Sequence, residues 1–273
     1  MQVKDALRDL HPDIRPQDAE DALLWVLHKP RAFLRTWPDH LLTEAQATQY
    51  QQALSRLANG EPVAYITGEQ AFWTLLLQVT PDTLIPRPDT ERLVELALDQ
   101  WRRMPQAQRI LDLGTGSGAI ALSLAKECPQ AQVVATDFSP AALAVAQANL
   151  LKNSLSNCVF KHGSWYAALV DEANQRFDLI VSNPPYIDPT DPHLPDLTHE
   201  PITALTAPEQ GLADLRQIIV GAPDYLQPNG WLLVEHGYDQ GQAVRALFAA
   251  AGFEGVQTVQ DYGGNDRVTL AKI

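Results

Sequence analysis

The sequence predicts an α/β fold, a seven-stranded and largely parallel sheet behind a small amino-terminal helical bundle. Three observations predict it. From Arg109 onward short apolar runs alternate with helical patterns, as they do when parallel strands are joined by right-handed crossovers. Before Gly60 only the helical period is present: Val3, Ala6, Leu7 and Leu10, then Ala22 to Leu27 after Pro16, then Leu54 and Leu57 after Thr43. Between an apolar strand and a helix start lies the glycine-rich turn Gly114 to Gly118.

With 273 residues and 45% hydrophobic composition the chain can bury a large core and a smaller one. The expected division is a helical domain at 1–75, an extended linker or hairpin at 76–90, and the α/β domain at 91–273. A net charge of −13 repels phosphate backbones and anionic lipid, so neither a nucleic acid nor a membrane is expected as a direct partner. Cys128 and Cys158 form no CxxC and no paired framework, and they are expected as reduced core thiols. The first 25 residues hold no apolar signal core, and no apolar stretch reaches membrane-span length. A cytoplasmic monomer is the expectation.

Within the bundle, Thr43 and Gln46 make a capping box and Asn59-Gly60 a helix stop. Glu61 to Gly68 is expected to leave the bundle, and Phe72 to Val79 to form a short extended segment or hairpin. In Leu84-Ile85-Pro86-Arg87-Pro88-Asp89-Thr90-Glu91 each proline disfavours helix in the residue before it, so the chain runs extended until Asp89 or Thr90 caps a helix. Arg87, held between prolines, either reaches into a site or makes a surface salt bridge.

Arg109 to Leu113 is a strand, and the turn after it lets backbone approach a ligand while a helix start offers free N–H groups. A second strand, Gln132 to Asp137, ends in an acid about 20 residues beyond the glycines, where a carboxylate grips a ribose diol. Asp112, an anion just before the turn, opposes a phosphate and suits a cationic or zwitterionic ligand. S-adenosylmethionine, with its sulfonium and amino group, meets that description. Beyond a helix from Ser139-Pro140 and a third strand at Cys158 to Lys161, Trp165 either stacks on an adenine edge or fills the core.

The apolar strand Phe177 to Ser182 then runs into Asn183-Pro184-Pro185-Tyr186. The prolines end the ladder and stiffen a polar knuckle at a strand's carboxyl end, where open α/β sheets bind ligands. Ile187 to Pro208, with prolines at 189, 192, 195, 201 and 208, is a long loop springing from that knuckle and is expected as a lid. Its His193, His199 and Glu200 lack the spacing of metal ligands, so no metal is expected. A helix over Leu212 to Tyr225, a strand at Trp231 to His236, a helix from Gly241 and two closely spaced final strands complete the fold. Glu235 and His236 stand at a carboxyl strand end facing the site, and a glutamate there more often caps or pairs than catalyses.

Pro62 to Gly68, Leu84 to Glu91, Asp112 to Gly118, Asn183 to Tyr186 and Asp261 to Val268 together resemble the protein-glutamine methyltransferases. Among these the chain is most similar to the release factor glutamine methyltransferases of the PrmC/HemK type. The resemblance implies a helical substrate-engaging domain and a Rossmann-like class I methyltransferase domain. The reaction it implies transfers a methyl from S-adenosyl-L-methionine to the side-chain amide (N5) of the glutamine in a release factor's Gly-Gly-Gln motif, leaving S-adenosyl-L-homocysteine. Carried over by residue, Asp112, Gly114, Thr115, Gly116, Ser117, Gly118, Asp137, Trp165 and Asn183 hold the cofactor. Asn183, Pro184 and Tyr186 are the catalytic set, and Arg87 with Asn183, Pro184, Pro185 and Tyr186 binds substrate. Ser164 stands where the family often has an acid. Two rivals share parts of the pattern, a methyltransferase acting on a ribosomal-protein glutamine and an adenine-N6 nucleic-acid methyltransferase. The second lacks support from any Lys/Arg-rich element.

Overall fold

The structure, a computed structural model, describes residues 1–172 and 176–273. They form two compact units, Met1–Glu69 and Gln70–Ile273. The first unit holds helices α1 (Val3–Ala6), α2 (Pro16–Leu27), α3 (Ala32–Thr36), α4 (Glu44–Ala58) and α5 (Val63–Thr67). Buried Ala19, Ala22, Leu23, Val26 and Leu27 recur at the helical period along α2 and meet Tyr50, Ala53 and Leu57 of α4. Thr43 forms the expected capping box: Gln46 N donates to its Oγ1 at 3.2 Å, and its own N–H donates to Gln46 Oε1 at 3.0 Å. Buried Tyr50 donates its hydroxyl hydrogen to the Ala6 carbonyl at 3.1 Å, satisfying a phenol in an apolar core.

One expectation is corrected in this unit. Glu61 to Gly68 does not leave the bundle, because Pro62 stands at the N-cap of α5 and Ile66 enters the bundle's core.

A two-stranded hairpin follows, β1 (Glu69–Phe72) and β2 (Leu75–Gln78). Pro88–Thr90 is a single 3₁₀ turn leading into α6 (Glu91–Arg102). Thr90 stands at the helix's N-cap as expected, yet its side chain makes no capping bond, because its hydroxyl is engaged elsewhere.

The main sheet comprises β3 (Arg109–Leu113), β4 (Gln132–Asp137), β5 (Cys158–His162), β6 (Phe177–Ser182), β7 (Leu226–Glu235), β8 (Glu254–Gln260) and β9 (Asp266–Lys272). Among the described residues it has seven strands in the order β5-β4-β3-β6-β7-β9-β8. The first five pair in parallel, and β9 runs antiparallel to both neighbours, the edge hairpin the closely spaced final strands called for. Helices α7 (Ala119–Glu127), α8 (Pro140–Lys152), α9 (Pro208–Gly211), α10 (Ala213–Tyr225) and α11 (Gly241–Ala250) supply the connections.

Alternate strand residues feed opposite layers: Ile110, Val133 and Leu179 pack on one face, Leu111, Val134 and Ile180 on the other. Buried on both sides, these strands are continuously apolar, which is why they stand out in the sequence. Strand order reverses at β3, flanked by β4 on one side and β6 on the other. A crevice opens at such a switch point, outside the carboxyl ends of the strands, and here it receives the turns after β3, β4 and β6.

Candidate active site

The crevice is a cavity of about 510 Å³ walled entirely by residues of the second unit. Of the sequence-predicted site residues, Arg87, Gly114, Thr115, Gly116, Ser117, Asp137, Trp165, Asn183 and Pro185 line it. Asp112, Gly118, Pro184 and Tyr186 stand outside its wall.

Asp112 lies fully buried in β3 beneath the glycine turn. Its Oδ2 accepts from Thr115 Oγ1 at 2.7 Å and from the Ala121 N–H at 3.2 Å, which ties the turn to the start of α7. Its Oδ1 has no hydrogen-bond partner among the described residues. Burial pushes this carboxyl up to about 7, and the bonds from Thr115 and Ala121 oppose the rise. Gly114 is held at φ 74°, and a Cβ there would lie 3.0 Å from Trp165 Cζ3. The indole therefore rests directly on the turn, and a side chain at 114 would push it away.

Asp137 closes β4 with both oxygens occupied by backbone. Oδ2 accepts from the Gly116 N–H and Oδ1 from the Ser139 N–H, each at 2.8 Å. Burial raises its pKa, and those two N–H groups hold it down. The same carboxylate thus braces the turn and faces the cavity. Trp165 both lines the cavity and packs against the apolar layer, so the two readings of it are compatible. It also stands near Asp214, whose pKa burial raises and the indole N–H holds down.

The cavity wall is acidic. Asp82, Asp137 and Asp214 line it, and Arg87 is the one lysine or arginine among the described lining residues. Arg87 is ion-paired with Glu200, which is nearly buried and also accepts from the Ile85 N–H at 3.1 Å. Both readings of Arg87 therefore meet: it makes a salt bridge, and it does so at the mouth of the site. Glu200 thereby ties the proline-arginine-proline block to the long loop, whose Pro201, Thr203 and Ala204 form part of the wall. The base of that loop is pinned by Ile187, which donates to the Leu205 carbonyl at 3.0 Å and accepts from the Ala207 N–H at 3.1 Å. His193 and His199 are exposed on it.

At the end of β6, Ser182 Oγ donates to the Leu113 carbonyl at 2.7 Å, locking the carboxyl ends of β3 and β6 together. Asn183 Nδ2 donates to Thr90 Oγ1 at 3.1 Å, which leaves Oδ1 without a hydrogen from that hydroxyl and able to accept from a ligand. The Tyr186 hydroxyl donates to Glu235 Oε1 at 3.2 Å, and burial raises its pKa. Gln240 Nε2 donates to the Tyr186 carbonyl at 2.9 Å. Against the same carbonyl lies Gly211, at φ 80°, where a Cβ would come within 1.9 Å of the oxygen. The knuckle is thus clamped from three elements before any substrate arrives, which is what a positioning device needs.

Some wall residues went unread in the sequence. Phe138 follows Asp137 and is 72% exposed beside the cavity, and a large aromatic after a strand-end acid was a usable signal. Thr90 registered only as a helix cap. Asp214 gave no signal, since an acid in a helix's first turn is ordinary.

Comparison with known proteins agrees with this architecture. Residues 1–68 match the PrmC N-terminal domain family and residues 93–206 the methyltransferase small domain family. The chain is 51% identical over 257 residues to the release factor glutamine methyltransferase of Vibrio cholerae, covering 93% of this chain and 88% of that one. It is 48% identical to the Salmonella typhimurium protein of the same name and 46% identical to the Escherichia coli one, in both cases over 99% of this chain and 97% of the relative. A 16S rRNA N2 methyltransferase of T. thermophilus, solved with AdoMet and guanosine, shares the fold with a TM-score of 0.54 at 21% identity, over 75% of this chain and 49% of that one. At identities near one half across almost the whole length, the chain belongs to the release factor glutamine methyltransferase family.

Proposed function

We propose that this chain methylates the side-chain amide nitrogen of a release factor glutamine, the one in the Gly-Gly-Gln motif, using S-adenosyl-L-methionine and releasing S-adenosyl-L-homocysteine. The observation that carries the reading is the clamped Asn183, which lines the cavity and whose amide NH2 donates to Thr90, an arrangement that suits its oxygen to accept from a substrate amide.

The residues present fit the cofactor. A cavity of about 510 Å³ is of the size that small-molecule sites have. Its carboxylates suit a sulfonium and an ammonium, and the side-chain-free backbone of Gly116, with nothing within 4 Å of where a Cβ would stand, suits a ligand that must approach backbone. When bound, the cofactor supplies an electrophilic methyl group. Gly114, Thr115, Gly116 and Ser117 would wrap its amino-acid end, Asp137 its ribose, and Trp165 with Phe138 its adenine. Asp112 and Gly118 lie outside the wall; Asp112 holds the turn in shape through Thr115 and Ala121 and, when ionised, would add a negative charge beneath it.

An amide nitrogen is a poor nucleophile because its lone pair is delocalised into the carbonyl, as a rotational barrier of about 18–20 kcal/mol indicates. Acceptors aimed at its two hydrogens turn the nitrogen toward the methyl and favour the positive charge that develops on it. Asn183 Oδ1 is one such acceptor, and the Pro184 carbonyl is proposed as the second. Tyr186, fixed by Glu235 and Gln240, lines the slot for the glutamine side chain. Glutamate would meet the same acceptors with repulsion and unmet hydrogen bonds, so the site selects the amide. The helical unit is proposed to engage the release factor, and a net charge of −13 leaves nucleic acid an unfavoured partner.

Two measurements test this. With labelled S-adenosylmethionine, label is expected in a purified release factor and absent from its Gly-Gly-Ala variant, from ribosomal proteins and from DNA; label in DNA or a ribosomal protein alone overturns the assignment. Cofactor affinity should also depend on pH. Asp112 attracts a cation only when ionised, so binding tightens as pH rises through about 7, and Asp112→Asn flattens that dependence. A titration curve as steep in the variant as in the parent would remove Asp112 from the electrostatic account.

A further inference from the structure

Glu235 ends β7 almost completely buried and stands outside the cavity wall. Its Oε1 accepts from Tyr186 at 3.2 Å, Oε2 has no hydrogen-bond partner among the described residues, and the Thr90 hydroxyl stands near enough to favour the charged carboxylate. Thr90, itself 3% exposed, in turn accepts from Asn183 Nδ2. A threonine hydroxyl owns a single hydrogen, and an ionised carboxylate can only accept. Once that hydrogen goes to Glu235, Oγ1 of Thr90 is left as an acceptor. Asn183 must then turn its NH2 to Thr90 and its oxygen to the cavity.

We propose that Thr90 and Glu235 are positioning residues that fix the orientation of the Asn183 amide, and through it select a substrate side chain that donates hydrogen bonds over one that only accepts. Their role rests on the glutamine-methylating reading of the site. A protonated Glu235 holds the Thr90 hydrogen less strongly than a carboxylate does. That hydrogen is then free to go to Asn183 Oδ1, and the amide would present its NH2 to a substrate NH2.

The groups facing Glu235 come from several elements. Burial pushes its carboxyl up to about 7; the Thr90 hydroxyl, Arg267 of β9 and the Tyr186 hydroxyl favour the charged form, and Asp89 ahead of α6 opposes it. Arg267 is anchored by Asp261 at 3.1 Å and by the His236 carbonyl at 3.2 Å. Next along the chain, His236 is turned away, its Nε2 2.8 Å from Thr269 Oγ1. Protonation therefore weakens the relay as pH falls through about 7, and turnover falls with it.

The test uses the full-length enzyme with a release factor substrate. Thr90→Val, close in shape but without a hydroxyl, is expected to lower kcat about tenfold or more while the cofactor dissociation constant stays within about twofold, and Thr90→Ser to restore turnover. In the parent kcat should climb between about pH 6 and 8, and in Glu235→Gln that limb should vanish. Thr90→Val turning over at the parent's rate, Thr90→Ser as impaired as Thr90→Val, or an unchanged acid limb in Glu235→Gln each overturns the proposal. A parent enzyme inactive on the release factor would instead sink the underlying reading, so the two failures are distinguishable.

Discussion

Asn183→Ala lowers kcat by about 100- to 1,000-fold while leaving S-adenosylmethionine affinity within about twofold of the parent. In the proposed mechanism Asn183 acts on the transferring centre, its NH2 donating to Thr90 and its oxygen accepting from the substrate amide. The turn proposed to hold the cofactor's amino-acid end is braced instead by Asp112, Asp137 and Trp165, none of which depends on that side chain. Calorimetric titration with the cofactor and steady-state turnover with a release factor separate the two effects. Equal losses in affinity and turnover would place Asn183 in cofactor binding and remove it from the chemistry.

Asp137→Ala is expected to do the reverse, weakening cofactor binding by roughly 10- to 150-fold, the range for losing a charged hydrogen-bonding partner of about 1.5–3 kcal/mol. Two losses combine there. The carboxylate proposed to hold the ribose is gone, and so are the acceptors that fix the Gly116 and Ser139 N–H groups. Turnover at saturating cofactor should fall far less than affinity. A variant that binds cofactor normally would mean that Asp137 braces the turn without touching the ligand.

Much of this was legible because the signals are local. The strands that carry the site are buried on both faces and so stand out as apolar runs, with Asp137 and Asn183 at or just beyond their carboxyl ends. The capping box at Thr43 needs residues only three apart. What stayed hidden depends on partners far away in the chain. Thr90 was legible as a helix cap, but its partner Asn183 lies 93 positions on. Glu200 was legible as a loop acid, but Arg87 is 113 positions before it. Glu235 was recognised as a strand-end acid that pairs, while the identity of its partners came from the fold. Helix α5 was missed for another reason, since Glu61 to Gly68 reads as a segment leaving the bundle whereas Pro62 is the N-cap of a short helix.

The most direct measurement is peptide mass spectrometry of a release factor expressed without its methyltransferase and then incubated with this enzyme and S-adenosylmethionine. One added methyl on the amide nitrogen of the Gly-Gly-Gln glutamine, absent when Asn183→Ala replaces the parent, is the expected result. A methyl on any other residue, or an unmodified glutamine after complete cofactor turnover, would contradict the account.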